Sequence, residues 1–283
     1  MTKVLTPEQI ANYRNAGYIE PISIFSAAEV AAMRTQLEDF EAARGPVFTE
    51  DRPRAGDRFQ GSYRFKSHLL FKWLAEAVRH PRILDAVEDL IGPDILCWST
   101  HWFIKEAQSP SYVSWHQDSN YWGLDTNELV SVWLALSPAT VASGCLRLLP
   151  GSHTKPALEH VDTFAQNNML TRGQAIQNVD ESRALDLQVQ PGEVAIFDYR
   201  LAHASHPNNS NERRIGIGFR YIPPSARQVR NDWDCASLLR GKDSLGHFEL
   251  EPEPSHDFDP LAVALHRKAD EAQRVVYYSE AKS

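Results

Sequence analysis

Cysteine is scarce and scattered: the 283-residue chain has 3, at Cys97, Cys145 and Cys235, and no CxxC pair. An odd, widely spaced set offers neither a disulfide framework nor a zinc knuckle, and it suits a reducing compartment. Positive charge is also short, with 29 Lys and Arg against 37 Asp and Glu and a formal charge of −8. That balance argues against the broad basic surface needed to bind a phosphate backbone. No run of about 20 apolar residues is present to span a bilayer. The start, Met1-Thr-Lys-Val-Leu-Thr-Pro, lacks the apolar core of a signal peptide. Internal repeats and low-complexity tracts are missing too. These absences predict a cytoplasmic protein with no nucleic acid and no membrane as partner, and they leave oligomeric state open.

What is present is an ordinary globular composition, 42% hydrophobic and 23% charged, expected to fold as one domain over residues 1–283. Thr6-Pro7-Glu8-Gln9 and Ser26-Ala27-Ala28-Glu29 have the form of capping boxes, so a helix should follow each. Ile83, Leu84, Val87, Leu90 and Ile91 recur at helical spacing between Pro81 and Gly92, which predicts a third helix. After Pro93 the texture changes to short apolar or alternating runs: 95–104, 130–136, 145–149, 185–189, 194–197 and 214–222. Turn formers such as Pro150-Gly151-Ser152, Pro191-Gly192 and Pro207-Asn208-Asn209 separate them, which favours an antiparallel, mainly β architecture over βαβ units. The expected plan is a helical preface over about 1–92, a β-sandwich core over about 93–223, and a loop-rich lid and C-terminal segment over about 224–283.

Chemistry concentrates in two places. In Ser114-Trp115-His116-Gln117-Asp118, residues two apart on an extended chain point the same way, so His116 and Asp118 can meet one ion. The stretch Gly192 to Arg214 carries a strand to a turn bearing His203, and the next strand opens on arginine. Two histidines and a carboxylate on three corners of an octahedron leave adjacent positions open, the arrangement associated with Fe(II) oxygenases. A bidentate 2-oxoacid and O2 can fill those positions. The far carboxylate of that co-substrate then needs a cation, and arginine matches a planar carboxylate with paired hydrogen bonds. Arg214 is preferred to Arg213 because it shares a strand face with Gly216, Gly218 and Arg220, where small glycines would leave space for a ligand.

These pieces together resemble the phytanoyl-CoA dioxygenase family of 2-oxoglutarate oxygenases. The likeness is carried by Trp115-His116-Gln117-Asp118, by Val132-Trp133-Leu134-Ala135-Leu136, and by the Gly144 to His153 stretch ending Leu-Pro-Gly-Ser-His. His203-Ala204-Ser205 followed by Pro207-Asn208, Ser210, Arg214 and Arg220-Tyr221 completes it. The resemblance implies a double-stranded β-helix, or jelly-roll, core. It implies His116, Asp118 and His203 as ligands of Fe(II), with Arg214 and Ser205 on the 2-oxoglutarate carboxylate. Trp133 would lie beside the co-substrate, and Lys66, in Arg64-Phe65-Lys66-Ser67-His68, resembles an upstream lysine that some members use on it. The implied reaction is oxidation of a substrate C–H bond with O2, releasing succinate and CO2. A carboxylate at 118 fits oxygenation, whereas related halogenases carry a small residue there; desaturation and ring formation remain open.

Other histidines compete less well. His206 lies three residues beyond His203 but lacks the His-x-Ser pattern, His153 reads as a turn fastener, and His101, His160, His247, His256 and His266 read as ordinary. Gln117, Tyr121 and Trp122 should lie near the metal, and a segment with Arg227, Gln228, Arg230, Trp233, Arg240 and Phe248 is the expected lid, its arginines suiting an anionic substrate. Two alternatives stand beside this reading. One is a cupin-type metal isomerase or a dioxygenase without 2-oxoglutarate; the other is a catalytically silent jelly-roll that binds a small molecule.

Overall fold

The computed structural model describes residues 2–49, 62–170 and 172–278. Its elements open with α1 (Pro7–Ala16), β1 (Tyr18–Ser23), α2 (Ala27–Arg44), α3 (Lys72–Val78) and α4 (Pro81–Ile91). There follow β2 (Ile95–Lys105), β3 (Val113–His116), β4 (Val130–Ala135), β5 (Leu146–Leu148), β6 (His160–Asp162), β7 (Gln174–Ile176) and β8 (Leu185–Leu187). The chain continues through β9 (Glu193–Asp198), β10 (His203–Ser205), β11 (Arg214–Ile222), β12 (Cys235–Arg240) and β13 (Glu249–Leu250) to α5 (Pro260–Tyr278). Both capping boxes form, Thr6 with Gln9 and Ser26 with Glu29.

Two sheets make the sandwich. The larger runs β1-β9-β4-β11-β2-β12-β13 and the smaller β3-β10-β5-β8. Pairing is antiparallel except between β12 and β13. The central strand β11 is buried along its whole length, and its period of two separates two environments. Ile215, Ile217, Phe219 and Tyr221 join the core beneath α2, α3 and α4, together with Leu37, Leu74, Val87 and Trp102. Arg214, Gly216, Gly218 and Arg220 face the other way, toward the smaller sheet. This is the jelly-roll layout that the strand pattern predicts, with the inner faces of two sheets enclosing an interior.

Three departures have local causes. β1 lies within the stretch expected to be helical, and it carries Pro21. It sits at the outer edge of the larger sheet with a register shift between Ile19 and Ile22, where a missing N–H and a bulge are tolerated. In the stretch expected to be loops, β12 and β13 extend the opposite edge. α5 begins where Asp259 accepts from the Leu261 amide, 3.0 Å away, ahead of Pro260, a cap-plus-proline start that is legible in the sequence. Among the described residues, no helix is long and apolar enough to cross a membrane.

Candidate active site

His116 ends β3 and His203 begins β10, and the two are direct partners in the β3–β10 ladder. Asp118 follows two residues after His116, as the first residue of a short 3-10 turn. One ligating atom from each of the three lies within 4.8 Å of the others. His116 Nε2 is 3.4 Å from Asp118 Oδ1, and His203 Nε2 is 3.9 Å from Asp118 Oδ2. All three side chains are buried.

The opposite ring nitrogens fix the tautomers. His116 Nδ1 is 2.9 Å from the Ser114 carbonyl and 3.1 Å from that of His203, while His203 Nδ1 is 2.9 Å from the Leu201 carbonyl. A carbonyl only accepts, so Nδ1 carries the proton in both rings and each Nε2 lone pair is left for an ion. Burial, reinforced by the neighbouring His116, pushes His203 down to about 3, so it is a neutral ligand at physiological pH. Burial raises Asp118, but its neighbours His116, His203 and Arg220 outweigh it and hold the carboxyl below its usual range. Asp118 Oδ2 has no hydrogen-bond partner. A buried acceptor left unmade is costly, and a cation at the centre of this triad removes that cost. The donor set, nitrogen and oxygen with neighbouring positions open, fits Fe(II).

Beside the triad lies a small cavity lined by Trp133, Ser205, Arg214, Phe197 and Arg220 together with His116 and His203. Arg214 is 2% exposed. Its Nη1 donates to the Gly144 carbonyl at 2.7 Å and its Nη2 to the Phe103 carbonyl at 3.3 Å, while Nε has no partner. The guanidinium lies over the Trp133 ring, 5.4 Å from its centroid. Arg213, by contrast, is held by Glu41 at 2.6 Å and Glu106 at 2.9 Å, an ordinary surface role. The glycine face is filled differently from expectation. A side chain at Gly216 would strike the Trp133 indole and one at Gly218 the Arg220 guanidinium, so these glycines make room for the protein's own side chains.

Lys66 is not brought to this site. Its φ of 45° turns the chain, and its ammonium is buried on Glu251 at 2.6 Å, on the Cys235 carbonyl at 2.7 Å and on the Trp98 carbonyl. His68 and Ser237 also bind Glu251. The lysine that does reach the Ser205 hydroxyl is Lys105, at 2.7 Å. Its one sequence signal is a charge at the end of an otherwise apolar strand.

A larger cavity of about 510 Å3 opens from His116 and Asp118. Tyr121, Trp122, Trp98, Phe103, His101 and Arg220 line it. So do Arg64, Gln166, Asn168, Gln174 and, from α5, Asp270, Gln273 and Arg274. His101 therefore belongs to the site. Burial, with Arg64 and Arg220 near, keeps it well below its ordinary value and neutral. Segment 224–259 contributes nothing to this lining; Arg240 is held by Asp85 and Glu88, and Arg227 rests on His247. The wall expected from that segment is supplied by α5, whose residues 270, 273 and 274 share one helical face.

Two histidines fasten the frame. His153 Nε2 binds the Arg14 carbonyl at 3.1 Å, and Ser152 Oγ accepts from the Ala202 amide at 2.8 Å, setting the chain just before His203. Gly17, at φ 90°, allows this close approach, since a side chain there would strike His153. His160, read from sequence as ordinary, accepts the Gln117 amide at 3.0 Å through Nε2, with Nδ1 on the Leu158 carbonyl at 2.7 Å. That amide lies between the two ligands His116 and Asp118. Gln117 itself faces away from the cavity, bridging the Leu158 amide at 2.8 Å and the Arg200 carbonyl at 2.6 Å.

A sandwich with a buried two-histidine, one-carboxylate triad at one end and an unpaired buried arginine beside it defines the 2-oxoglutarate-dependent non-haem iron dioxygenases. The phytanoyl-CoA dioxygenase (PhyH) family model matches residues 13–216, and the chain belongs to that family. It is 26% identical over 215 residues to a probable alpha-ketoglutarate-dependent hypophosphite dioxygenase of Stutzerimonas stutzeri, covering 73% of this chain and 75% of that one. It is 26% identical over 229 residues to the ectoine dioxygenase of Bordetella parapertussis, covering 75% and 74%. Among solved structures, the non-heme monooxygenase ThoJ in its apo form superposes with a TM-score of 0.82 at 32% identity, covering 96% of this chain and 98% of that one. The protein is thus an enzyme of this class, with Fe(II) and 2-oxoglutarate as its cofactor and co-substrate.

Proposed function

We propose that His116, Asp118 and His203 hold Fe(II), that Arg214 and Ser205 hold the distal carboxylate of 2-oxoglutarate against Trp133, and that the enzyme hydroxylates a C–H bond of a small polar metabolite. The observation that carries this reading is the buried Arg214, which among the described residues has only carbonyl partners and no carboxylate, next to three metal-competent atoms with Asp118 Oδ2 unsatisfied. An arginine kept out of water without a counter-ion needs an anion, and a dianionic 2-oxoacid supplies one.

Iron and the 2-oxoacid supply the oxidising chemistry with O2. The protein's residues position and shield it. The two Nδ1–H to carbonyl bonds hold both imidazoles in the ligating tautomer. Arg220, with Nε 3.8 Å from Asp118 Oδ2 and its guanidinium 5.1 Å from the Trp122 centroid, braces the carboxylate from the cavity side. Trp98, Trp122 and Tyr121 exclude water from the cavity, while the amides and charges that also line it orient a polar substrate.

An anionic group on the substrate is favoured by Arg64 and Arg220 in the cavity, whereas Arg274 is held by Asp270 at 3.0 Å; the arginines of 227–240, first suspected of this, lie elsewhere. The names of the two curated relatives, hypophosphite and ectoine dioxygenase, point to small polar molecules as well. Cys97, Cys145 and Cys235 are all free and buried, in keeping with a cytoplasmic setting. The test is an anaerobic titration. Fe(II) plus 2-oxoglutarate should give the visible charge-transfer absorption of a chelated 2-oxoacid, and a metabolite panel should reveal substrate-dependent succinate with a product one oxygen heavier. Metal-loaded protein that gives no such band would refute the assignment.

A further inference from the structure

Lys105 is 1% exposed and lies directly opposite Arg214 in the β2–β11 ladder. Its ammonium donates to Ser205 Oγ at 2.7 Å and to the His206 carbonyl. The other groups packed around it are Arg214 on β11 and the Cys145 thiol before β5, which burial pushes up to about 11 and so keeps neutral. Glu106, the next residue, turns its carboxylate to Arg213 at 2.9 Å. Two buried basic side chains therefore share one Ser205-centred corner, and among the described residues neither has an acid partner.

We propose that Lys105 is a positioning residue of the co-substrate site, which takes a proton from solvent when the 2-oxoglutarate dianion binds beside Arg214 and thereby turns the Ser205 hydroxyl toward the bound carboxylate. This inference rests on the reading that Arg214 and Ser205 hold that carboxylate.

The hydrogen-bond polarity at Ser205 supplies the mechanism. A neutral amine at Lys105 has a lone pair and can accept the Ser205 O–H, drawing that proton away from the cavity. An ammonium has none and can only donate. Once Lys105 is protonated, Ser205 must accept from it, and its own O–H is released to donate to the carboxylate. Burial and then the Arg214 charge push Lys105 down to about 6, which favours the neutral amine before an anion binds. A bound dianion reverses the balance by placing negative charge beside both cations. One proton is taken up by Lys105 Nζ, and no bond other than N–H is formed.

Calorimetry of anaerobic Fe(II)-loaded protein with 2-oxoglutarate at pH 7.5, in buffers of different ionisation enthalpy, reads the proton directly. Wild type should take up close to one proton per ligand, and its apparent Kd should rise about tenfold per pH unit above pH 6 until the bound form deprotonates. Lys105→Met should bind with no uptake and a flat Kd over that range; Lys105→Arg, always charged, should also be flat but tighter than Lys105→Met. Wild-type binding with zero uptake, or uptake that persists in Lys105→Met, overturns the inference. Arg214→Ala separates it from its premise. If that variant binds 2-oxoglutarate as wild type does, the carboxylate reading itself fails. If it binds far more weakly while wild type takes up no proton, only the role of Lys105 fails.

Discussion

His116 and His203 stand side by side on neighbouring strands, ring centroids 4.1 Å apart and planes tilted by 50°, with His116 Nδ1 bound to the backbone carbonyl of His203 itself. Each ligand thus helps to orient the other, so losing one disturbs both. His203→Ala should weaken Fe(II) binding by more than about 100-fold, beyond the loss expected for an outer hydrogen-bond partner. Anaerobic iron content and the charge-transfer band check this; a variant that retains both at wild-type levels would remove His203 from the ligand set.

In the proposed site Arg214 offers a fully buried cation to the co-substrate. Arg214→Ala should raise the Kd for 2-oxoglutarate by on the order of 100-fold or more, since truncating one partner of a buried charged pair costs roughly 2–5 kcal/mol. Arg213→Ala, which removes only partly exposed pairs with Glu41 and Glu106, should leave that Kd within about twofold. Equal effects from the two variants would contradict the assignment.

His160 accepts the Gln117 amide, which lies between His116 and Asp118 and so positions both for the proposed iron site. Burial pushes it down to about 4, so Nε2 remains a lone-pair acceptor at neutral pH. His160→Ala should reduce Fe(II) affinity about tenfold, in the range for outer partners of metal ligands, with the fold intact by circular dichroism. Unchanged iron affinity would make the histidine structural only.

Lys66 and Glu251 form a buried pair behind the sheet, and Lys66→Met should therefore act on stability rather than on co-substrate affinity. Leaving Glu251 buried without its cation costs about 3–5 kcal/mol, a fall in Tm on the order of 10 °C. The Kd for 2-oxoglutarate of the folded variant should not change. Glu251 is buried, which raises its pKa, but Lys66 and His68 hold it well below the usual carboxylate range. Its stabilisation is thus fully present above the unfolded value of about 4.3 and is lost as pH falls further, so acid unfolding should begin at higher pH in a His68→Ala variant.

Gln273 presents an amide to the cavity from α5. Gln273→Ala should alter the KM for substrate by about tenfold, near the worth of one hydrogen bond, and leave the 2-oxoglutarate Kd unchanged. A shift in both constants would mean that α5 supports the iron site rather than the substrate.

Much of this was legible because local pattern and chemistry coincide. The alternation along β11 assigns Arg214 and Arg220 to one face and Ile215, Ile217, Phe219 and Tyr221 to the other, and a period of two has no other outcome once the strand is central. Two ligands two residues apart on an extended segment must converge for the same reason. β1 was hidden by Pro21, a residue tolerated there only because the strand is at the sheet's edge. α5 did announce itself through Asp259-Pro260, but its place against the cavity had no local signal.

The sequence by itself determined which chemistry was available: two histidines and a carboxylate for iron, an arginine for a dianion, and strands to carry them. Only the tertiary structure decided which of two lysines lies beside Arg214. Lys66 sits among Arg64, Ser67 and His68 in the sequence and Lys105 closes a strand before Glu106, yet one ammonium meets Glu251 and the other meets Ser205 beside Arg214. A buried charge is defined by its partners, and those partners lie far away in sequence, brought together by strand register rather than by any local pattern.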